Sequence, residues 1–185
     1  MTTANKITLT RIAMIPFFIY FAAQPMLIID ETRYLAAFPT STVIALVLFC
    51  VASFTDFLDG YVARKYNQVT DFGKFADPLA DKCLVTAAML WFVEIGQMPA
   101  WALLIVIVRE FAVSGLRMIA ADKGRVIAAG WSGKVKTAST MVCIVLMLLP
   151  IAYWVNSICV AVIVLTTIYS GVEYFVLNRD IIATA

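Results

Sequence analysis

The chain contains no histidine, and only 14% of its 185 residues are charged. The absence of histidine excludes a Ser-His-Asp or Cys-His mechanism and any histidine-ligated metal. If the chain is an enzyme, we expect a carboxylate as its base and a hard cation with oxygen ligands as its metal. The four cysteines are far apart and form no CxxC pair, which favours small buried hydrophobes over a zinc site or a disulfide framework. The formal net charge of +2 does not suggest binding to nucleic acid.

Hydrophobic residues make up 63% of the chain, and the mean hydropathy is +0.92. Apolar runs of about 20 residues recur, which is the length that crosses a bilayer core about 30 Å thick. The sequence therefore predicts an all-α integral membrane protein with a single domain over residues 1–185. We expect six transmembrane helices preceded by a short interfacial N-terminal helix. The expected spans cover about 11–29, 37–65, 73–95, 99–120, 131–150 and 155–177.

Lysine and arginine are distributed unevenly between the two ends of these spans. Most of them, including Arg64 and Lys74, fall on the side that holds the N-terminus, and Arg33 is the clear exception. The positive-inside rule then predicts a multi-pass protein of the cell inner (cytoplasmic) membrane, with both termini in the cytoplasm. The polar start of the chain has no signal-peptide pattern, so we expect the first span to remain in the mature protein.

Four aspartates form two pairs, Asp56 with Asp59 and Asp77 with Asp81, at the cytoplasmic ends of spans two and three. At 100° per residue, each pair lies along one helical stripe, so two adjacent antiparallel helices can face both pairs across one cleft. Four facing carboxylates would repel one another, and Mg²⁺ or Mn²⁺ removes that cost. Acids inside a membrane helix are functional by default. The predicted site is therefore a divalent-cation site near the cytoplasmic surface.

Other residues share the two stripes. Gly60 and Gly73 leave space for a bulky group beside the cations, and Arg64 offers a fork that holds a phosphate. The full pattern is D-x2-D-G-x2-A-R-x8-G-x3-D-x3-D, with Ala63 as its alanine. This pattern resembles the signature of the CDP-alcohol phosphatidyltransferases at all eight fixed positions. The six-span layout is similar too, as is an N-terminal N-x2-T-L-x-R…P pattern, which here is Asn5, Thr8, Leu9, Arg11 and Pro16.

The resemblance implies two divalent metals held between the four aspartates. Asp56, Asp59 and Asp77 are then ligands, while Asp81 is a ligand, the general base, or both. The metals hold the diphosphate of a CDP-lipid, here CDP-diacylglycerol, and the set of residues near that lipid is Gly60, Ala63, Arg64 and Gly73. The resemblance also suggests that the protein contacts membrane lipids and forms a homodimer.

Asn5 and Thr8 of the N-terminal pattern have two readings. They either contact the CDP-lipid as well or, together with Arg11, only cap and anchor an interfacial helix.

Three further stretches, FADPLADK, REFAVSGLR and GKVKT, resemble the branch of the family whose acceptor is glycerol 3-phosphate. An acceptor that carries a phosphate needs a cationic pocket. Arg109 and Arg117 are eight residues apart, or about 80°, and can share a helix face. Lys134 and Lys136 are about 200° apart, so at least one of them, but not clearly both, is expected in the pocket.

Each of these cations also has a structural interpretation. Arg109 alternatively pairs with Glu110 or Glu173, and we expect Glu173 because adjacent helix residues do not face each other. Arg117, Lys134 and Lys136 alternatively anchor the protein at the lipid surface.

Two other functions stay open at this point. One is the family's transfer of a phosphatidyl group from CDP-diacylglycerol to another acceptor, such as serine, inositol phosphate or a second lipid. Of these, serine needs no phosphate pocket. The other, from a different class, is a cation transporter that uses the aspartate cluster. Transporters often carry midplane sites and internal repeats, whereas here the acids lie near one surface and no repeat is found.

Overall fold

The computed structural model describes residues 3–23, 40–65, 71–122, 124, 127, 130–149 and 152–180, without the side chains of residues 3–8, 40, 56–65 and 71–81. All regular elements in these ranges are α-helices. They are α1 (Thr3–Ala22), α2 (Thr40–Lys65), α3 (Asp71–Glu94), α4 (Ala100–Asp122), α5 (Trp131–Leu148) and α6 (Tyr153–Leu177).

Residues 3–22 form one continuous helix, with Pro16 inside it. The expected short interfacial helix and the first span are therefore joined, and the expectation of a separate N-terminal helix is wrong. No glycine or proline between residues 3 and 15 would end a helix there, which explains the continuity. The expected end of the first span at residue 29 lies outside the described residues.

Helices α2 to α6 are linked by short connections. Between α3 and α4, Gly96 adopts a positive φ of 74°, which glycine tolerates without strain. The backbone amides of Gln97 and Met98 both donate to the carbonyl of Phe92, at 2.9 and 3.1 Å, and so satisfy the end of α3. Connections of up to about eight residues join antiparallel neighbours in helical bundles, so successive helices from α2 onward run in alternating directions.

A hydrophobic core involves all six helices, and it includes Phe18, Phe49, Phe92, Ala102, Ile144 and Ile163. A second, smaller cluster joins α4 to α6 and consists of Val113, Leu116, Ala120 and Tyr174. The buried apolar residues of α4 thus fall into two groups: the first ends at Val106, and the second begins at Val113. Arg109 and Glu110 lie between these two groups.

Within the described ranges, α6 is long and apolar enough to cross a membrane, and Leu9–Ala22 and Ser41–Thr55 are shorter apolar helical stretches. Charged residues inside the other helices, such as Asp77 and Asp81 in α3 or Arg109 and Glu110 in α4, lower their hydropathy. The described ranges contain six helices rather than the expected six spans plus a separate N-terminal helix, and six membrane spans stay a prediction.

Candidate active site

The two aspartate pairs lie at matching heights on α2 and α3. Asp59 is six residues before the end of α2, and Asp77 is six residues after the start of α3. At 1.5 Å per residue, both positions are about 9 Å from the α2–α3 connection. Asp56 and Asp81 lie at nine and ten residues from the same two helix ends, or about 14 and 15 Å. The backbone therefore supports one site shared by both pairs, and four carboxylates form a donor set that suits a hard divalent cation.

The side chains of this region lie outside the described part of the chain. The metal-ligand, general-base and CDP-lipid assignments accordingly stay predictions. They concern Asp56, Asp59, Gly60, Ala63, Arg64, Gly73, Asp77 and Asp81, and also Asn5 and Thr8 on α1.

Arg11, from the same N-terminal pattern, is described and is only 1% exposed. An arginine that anchors a helix at a lipid surface keeps its charged head in water. The burial of Arg11 therefore argues against the anchoring interpretation for this residue.

Glu110 of α4 joins cations from three helices. Its Oε1 accepts a hydrogen bond from Lys136 Nζ of α5 at 2.6 Å and another from Arg109 Nη1 at 2.9 Å. Its Oε2 lies 3.5 Å from Lys82 Nζ of α3, which also donates to Ser114 Oγ. Three cations against one carboxylate leave the cluster with an excess of positive charge. We call these four charged residues the Glu110 cluster.

The Glu110 cluster holds like charges close together. Lys136 Nζ and Arg109 Nη1 both contact one oxygen, so they are separated by no more than the sum of 2.6 and 2.9 Å, about 5.5 Å. Two positive charges at that distance repel by about 3 kcal/mol at an effective dielectric constant of about 20. Lys136 is only 5% exposed, so water screens its charge poorly. Glu110 therefore offsets a repulsion that would otherwise drive the two cations apart.

Arg109 passes between two glycines. A Cβ built on Gly171 of α6 would lie 3.3 Å from Arg109 Cγ, and one built on Gly133 of α5 would lie 3.8 Å from Arg109 Nη2. The side chain is 14% exposed, and its buried Nε has no hydrogen-bond partner among the residues that the structure describes. A buried donor without an acceptor costs about 1–3 kcal/mol. Arg109 is thus confined by its neighbours while one of its donors is unused, which suits a residue that binds an anion.

The expected pairing of Arg109 with Glu173 is wrong, because its guanidinium contacts Glu110. Side chains of adjacent helix residues diverge at Cβ, but the long arginine side chain extends past Gly171 toward α5, where Glu110 meets Lys136. Within the described part of the chain, the buried Glu173 Oε2 has no hydrogen-bond partner. Glu173 instead lines a groove of about 350 Å³ between α5 and α6, with Trp131, Val135, Leu165 and Tyr169 among the other residues.

The two lysines of α5 diverge, as their spacing predicts. Lys136 is buried against Glu110, whereas Lys134 is exposed. Arg117, one of the two expected arginines on α4, meets α6 as Arg109 does. Its Nε donates to the hydroxyl of Tyr174 at 3.2 Å, and its guanidinium carbon lies 5.7 Å from the centre of that ring. The residue is otherwise exposed. Of the four cations expected around an acceptor phosphate, Arg109 and Lys136 are therefore brought together, and Arg117 and Lys134 are outside this contact.

The Glu110 cluster lies at the height of the aspartates. Ser53 of α2 contacts Met141 of α5, with Oγ and Sδ 3.9 Å apart. Because α2 and α5 run in opposite directions, Asp56 and Lys136 are displaced from this contact toward the same end, by about 4.5 and 7.5 Å. They are thus within about 3 Å in height. Lys82, which follows Asp81 directly, links α3 to the cluster on α4.

Several members of this arrangement do not follow from the sequence reasoning. Glu110 was expected only as an alternative partner of Arg109, and the roles of Lys82, Ser114, Gly133 and Gly171 were not foreseen. One signal was present, because a carboxylate in the middle of an apolar span requires a cationic partner. The identity of the partners depends on helix packing, which a single sequence does not reveal.

The chain is similar to known proteins along most of its length. The family model for CDP-alcohol phosphatidyltransferase matches residues 1–169. The chain is 41% identical to the CDP-diacylglycerol–glycerol-3-phosphate 3-phosphatidyltransferase of Bacillus subtilis, over 98% of this chain and 97% of the relative. It is 36% identical to a probable phosphatidylglycerophosphate synthase of Mycobacterium tuberculosis, over 92% and 78% of the two chains.

A third relative is a CDP-diacylglycerol–glycerol-3-phosphate 3-phosphatidyltransferase of Salmonella typhimurium, which is 34% identical over 91% of this chain and 90% of its own. Each match covers nearly the whole of this chain. The resemblance drawn from the eight-position motif is therefore confirmed, and the chain belongs to the CDP-alcohol phosphatidyltransferase family.

Proposed function

We propose that this protein transfers the phosphatidyl group from CDP-diacylglycerol to sn-glycerol 3-phosphate. The products are CMP and phosphatidylglycerophosphate, so the enzyme acts in phospholipid biosynthesis. Family membership and the names of the relatives support this reaction. The observation that carries it in the structure is the Glu110 cluster, an excess of positive charge at the height of the aspartate pairs that includes the buried Lys136.

The charge of the Glu110 cluster favours an acceptor that bears a phosphate. Lys82, Arg109 and Lys136 exceed Glu110 by two charges. A phosphate monoester carries about −1.5 to −2 at pH 7, which matches that excess. Serine has no phosphate to balance it. Inositol phosphate has one, and here the names of the relatives favour glycerol 3-phosphate.

The remaining cations of the predicted pocket are Arg117 and Lys134. Arg117 and Lys134 are exposed, so we assign them to attracting the acceptor phosphate over a distance, with Arg109 and Lys136 holding it.

The family generally depends on a divalent metal. The donor set of Asp56, Asp59, Asp77 and Asp81 fits two Mg²⁺ or Mn²⁺ ions, which would neutralise the diphosphate and stabilise the departing CMP. Gly60 and Gly73 leave room for the CDP-lipid, and Arg64 contacts its phosphates. Ala63, Asn5 and Thr8 complete the CDP-lipid side of the proposed site.

The reaction itself is a substitution at phosphorus. The sn-1 hydroxyl oxygen of the acceptor bonds to the phosphorus that bears the diacylglycerol, and the bond from that phosphorus to the CMP oxygen breaks. Asp81 accepts the hydroxyl proton, because no histidine is available and Lys82 beside it is linked to the cluster that holds the acceptor.

The substrate lipid requires a site that opens to a bilayer. Large apolar side chains on the outer surface support this, for example Phe111 at 74% and Leu165 at 67% exposure. We propose a single-domain, multi-pass protein of the cell inner membrane with six spans, cytoplasmic termini and a cytoplasmic active site. A homodimer is the assembly expected from the family.

An acceptor assay tests the proposed function. Purified protein would receive CDP-diacylglycerol and Mg²⁺ with glycerol 3-phosphate, serine, inositol phosphate or phosphatidylglycerol in separate reactions. We expect CMP release in the reaction with glycerol 3-phosphate and in none of the other three. Release with serine in its place would overturn the acceptor assignment, and no release with any acceptor, with Mg²⁺ or with Mn²⁺, would overturn the transferase assignment.

A further inference from the structure

Among the described side chains, Glu110 connects helices α3, α4 and α5 through Lys82, Arg109 and Lys136. The carboxylate uses one oxygen for Arg109 and Lys136 together, and the other faces Lys82. Cations that existed only to anchor the chain at the lipid surface would instead extend separately toward water. The convergence of three cations on one carboxylate requires a different explanation.

We propose that Glu110 is a positioning residue for the acceptor: it holds Lys136 and Arg109 so that their remaining donors converge on the phosphate. This inference rests on the proposed function. A lysine ammonium has three donors, and an arginine guanidinium has five. Glu110 uses one donor of each, and the buried Arg109 Nε–H has no partner in the described ranges. Both cations therefore keep donors for an anion while Glu110 fixes their orientation.

A positioning role and a simple balance of charge predict opposite changes in phosphate binding when Glu110 is replaced by a neutral residue. If Glu110 only reduced the positive charge, a neutral residue there would strengthen phosphate binding. If Glu110 positions the cations, its loss lets Lys136 and Arg109 move apart, because two positive charges within about 5.5 Å repel each other. Lys136 is almost fully buried and has no other described hydrogen-bond partner, so its side chain depends strongly on Glu110. The structure therefore favours the positioning role, which predicts that loss of Glu110 weakens binding of the acceptor phosphate.

The test compares Glu110→Gln with Glu94→Gln. Both remove one negative charge, but Glu94 is exposed at the opposite end of α3 from the acid pairs. The steady-state KM for each substrate and kcat would be measured in detergent micelles with Mg²⁺. For Glu110→Gln we expect the KM for glycerol 3-phosphate to rise at least tenfold, with the KM for CDP-diacylglycerol within twofold of the parent. Glu94→Gln should match the parent in both.

The possible results separate the ideas. An unchanged or lower KM for glycerol 3-phosphate in Glu110→Gln would overturn the positioning role. Equal increases for both substrates, or a loss of kcat alone, would indicate a structural role and would also overturn it. If Glu110→Gln does not fold, Glu110→Asp is measured, because it keeps the charge but is too short to hold both cations. We expect the same selective rise in that variant, and an unchanged KM would refute the proposal. Failure of the parent protein to use glycerol 3-phosphate would instead refute the proposed function.

Discussion

Replacing Lys136 with methionine should weaken binding of the acceptor far more than replacing Lys134. Lys136 is 5% exposed and donates to Glu110 at 2.6 Å, whereas Lys134 is exposed two residues earlier on the same helix. Methionine keeps most of the length and packing of the lysine side chain and removes its charge. The two variants therefore make the same chemical change at a buried and at an exposed position of α5.

The size of the effect follows from the contact that is lost. A hydrogen bond to a charged group contributes about 1.5–3 kcal/mol. At about 1.4 kcal/mol for each factor of ten, the KM for glycerol 3-phosphate should rise about 10- to 150-fold in Lys136→Met. For Lys134→Met we expect less than about a threefold rise, because an exposed charge acts over a distance and is screened by salt. The fold should persist in Lys136→Met, since Glu110 keeps Arg109 at 2.9 Å as a partner.

The assay is CMP release at saturating CDP-diacylglycerol with glycerol 3-phosphate varied, followed by the reverse titration. Thermal unfolding of each variant in detergent provides the control for folding. Equal KM values for glycerol 3-phosphate in the two variants would refute the assignment of Lys136 to the acceptor phosphate. So would a rise confined to the KM for CDP-diacylglycerol, because that result would move Lys136 to the other substrate.

Two further predictions concern Arg109 and the aspartates. Gly171→Ala should raise the KM for glycerol 3-phosphate several-fold, because its Cβ would lie 3.3 Å from Arg109 Cγ. Gly133→Ala, whose Cβ would lie 3.8 Å from Arg109 Nη2, should change that KM less than twofold. Equal KM values for the two variants in steady-state assays would contradict this prediction. Asp81→Asn should lose turnover. Calorimetry should show that it still binds metal and CDP-lipid better than Asp56→Asn does. Turnover equal to that of the parent would remove the general-base role from Asp81.

The helices themselves were largely predictable. The expected spans 99–120 and 155–177 correspond to α4 (Ala100–Asp122) and α6 (Tyr153–Leu177), because apolar runs flanked by polar and turn residues mark the ends of helices. The N-terminal helix was less predictable. A change from polar to apolar composition near residue 11 suggested two elements, yet composition does not interrupt a helix when no breaker is present.

The cation cluster shows where sequence reasoning stops. Helical angles correctly separated Lys134 from Lys136, because that geometry is local. The same reasoning failed for Arg109 and Glu110, because the angle between neighbours describes the start of each side chain and not where a long side chain ends. Lys82 could be assigned to an aspartate or to Glu110 with equal ease from the sequence. The choice depends on how α3 packs against α4, which is a tertiary property.

The position of the cluster between two apolar groups of α4 has a physical consequence. Val106 lies in the main core and Val113 in the smaller cluster with Tyr174, so Arg109 and Glu110 are enclosed on both sides along the helix. Charges interact more strongly where water is excluded, and an unpaired charge there is correspondingly costly. If Glu110 were removed, Arg109 and Lys136 would lose a shared ionic partner at this depth. Under the proposed function, Glu110 therefore stabilises the cluster before the acceptor binds, and the remaining positive charge is available to the acceptor phosphate.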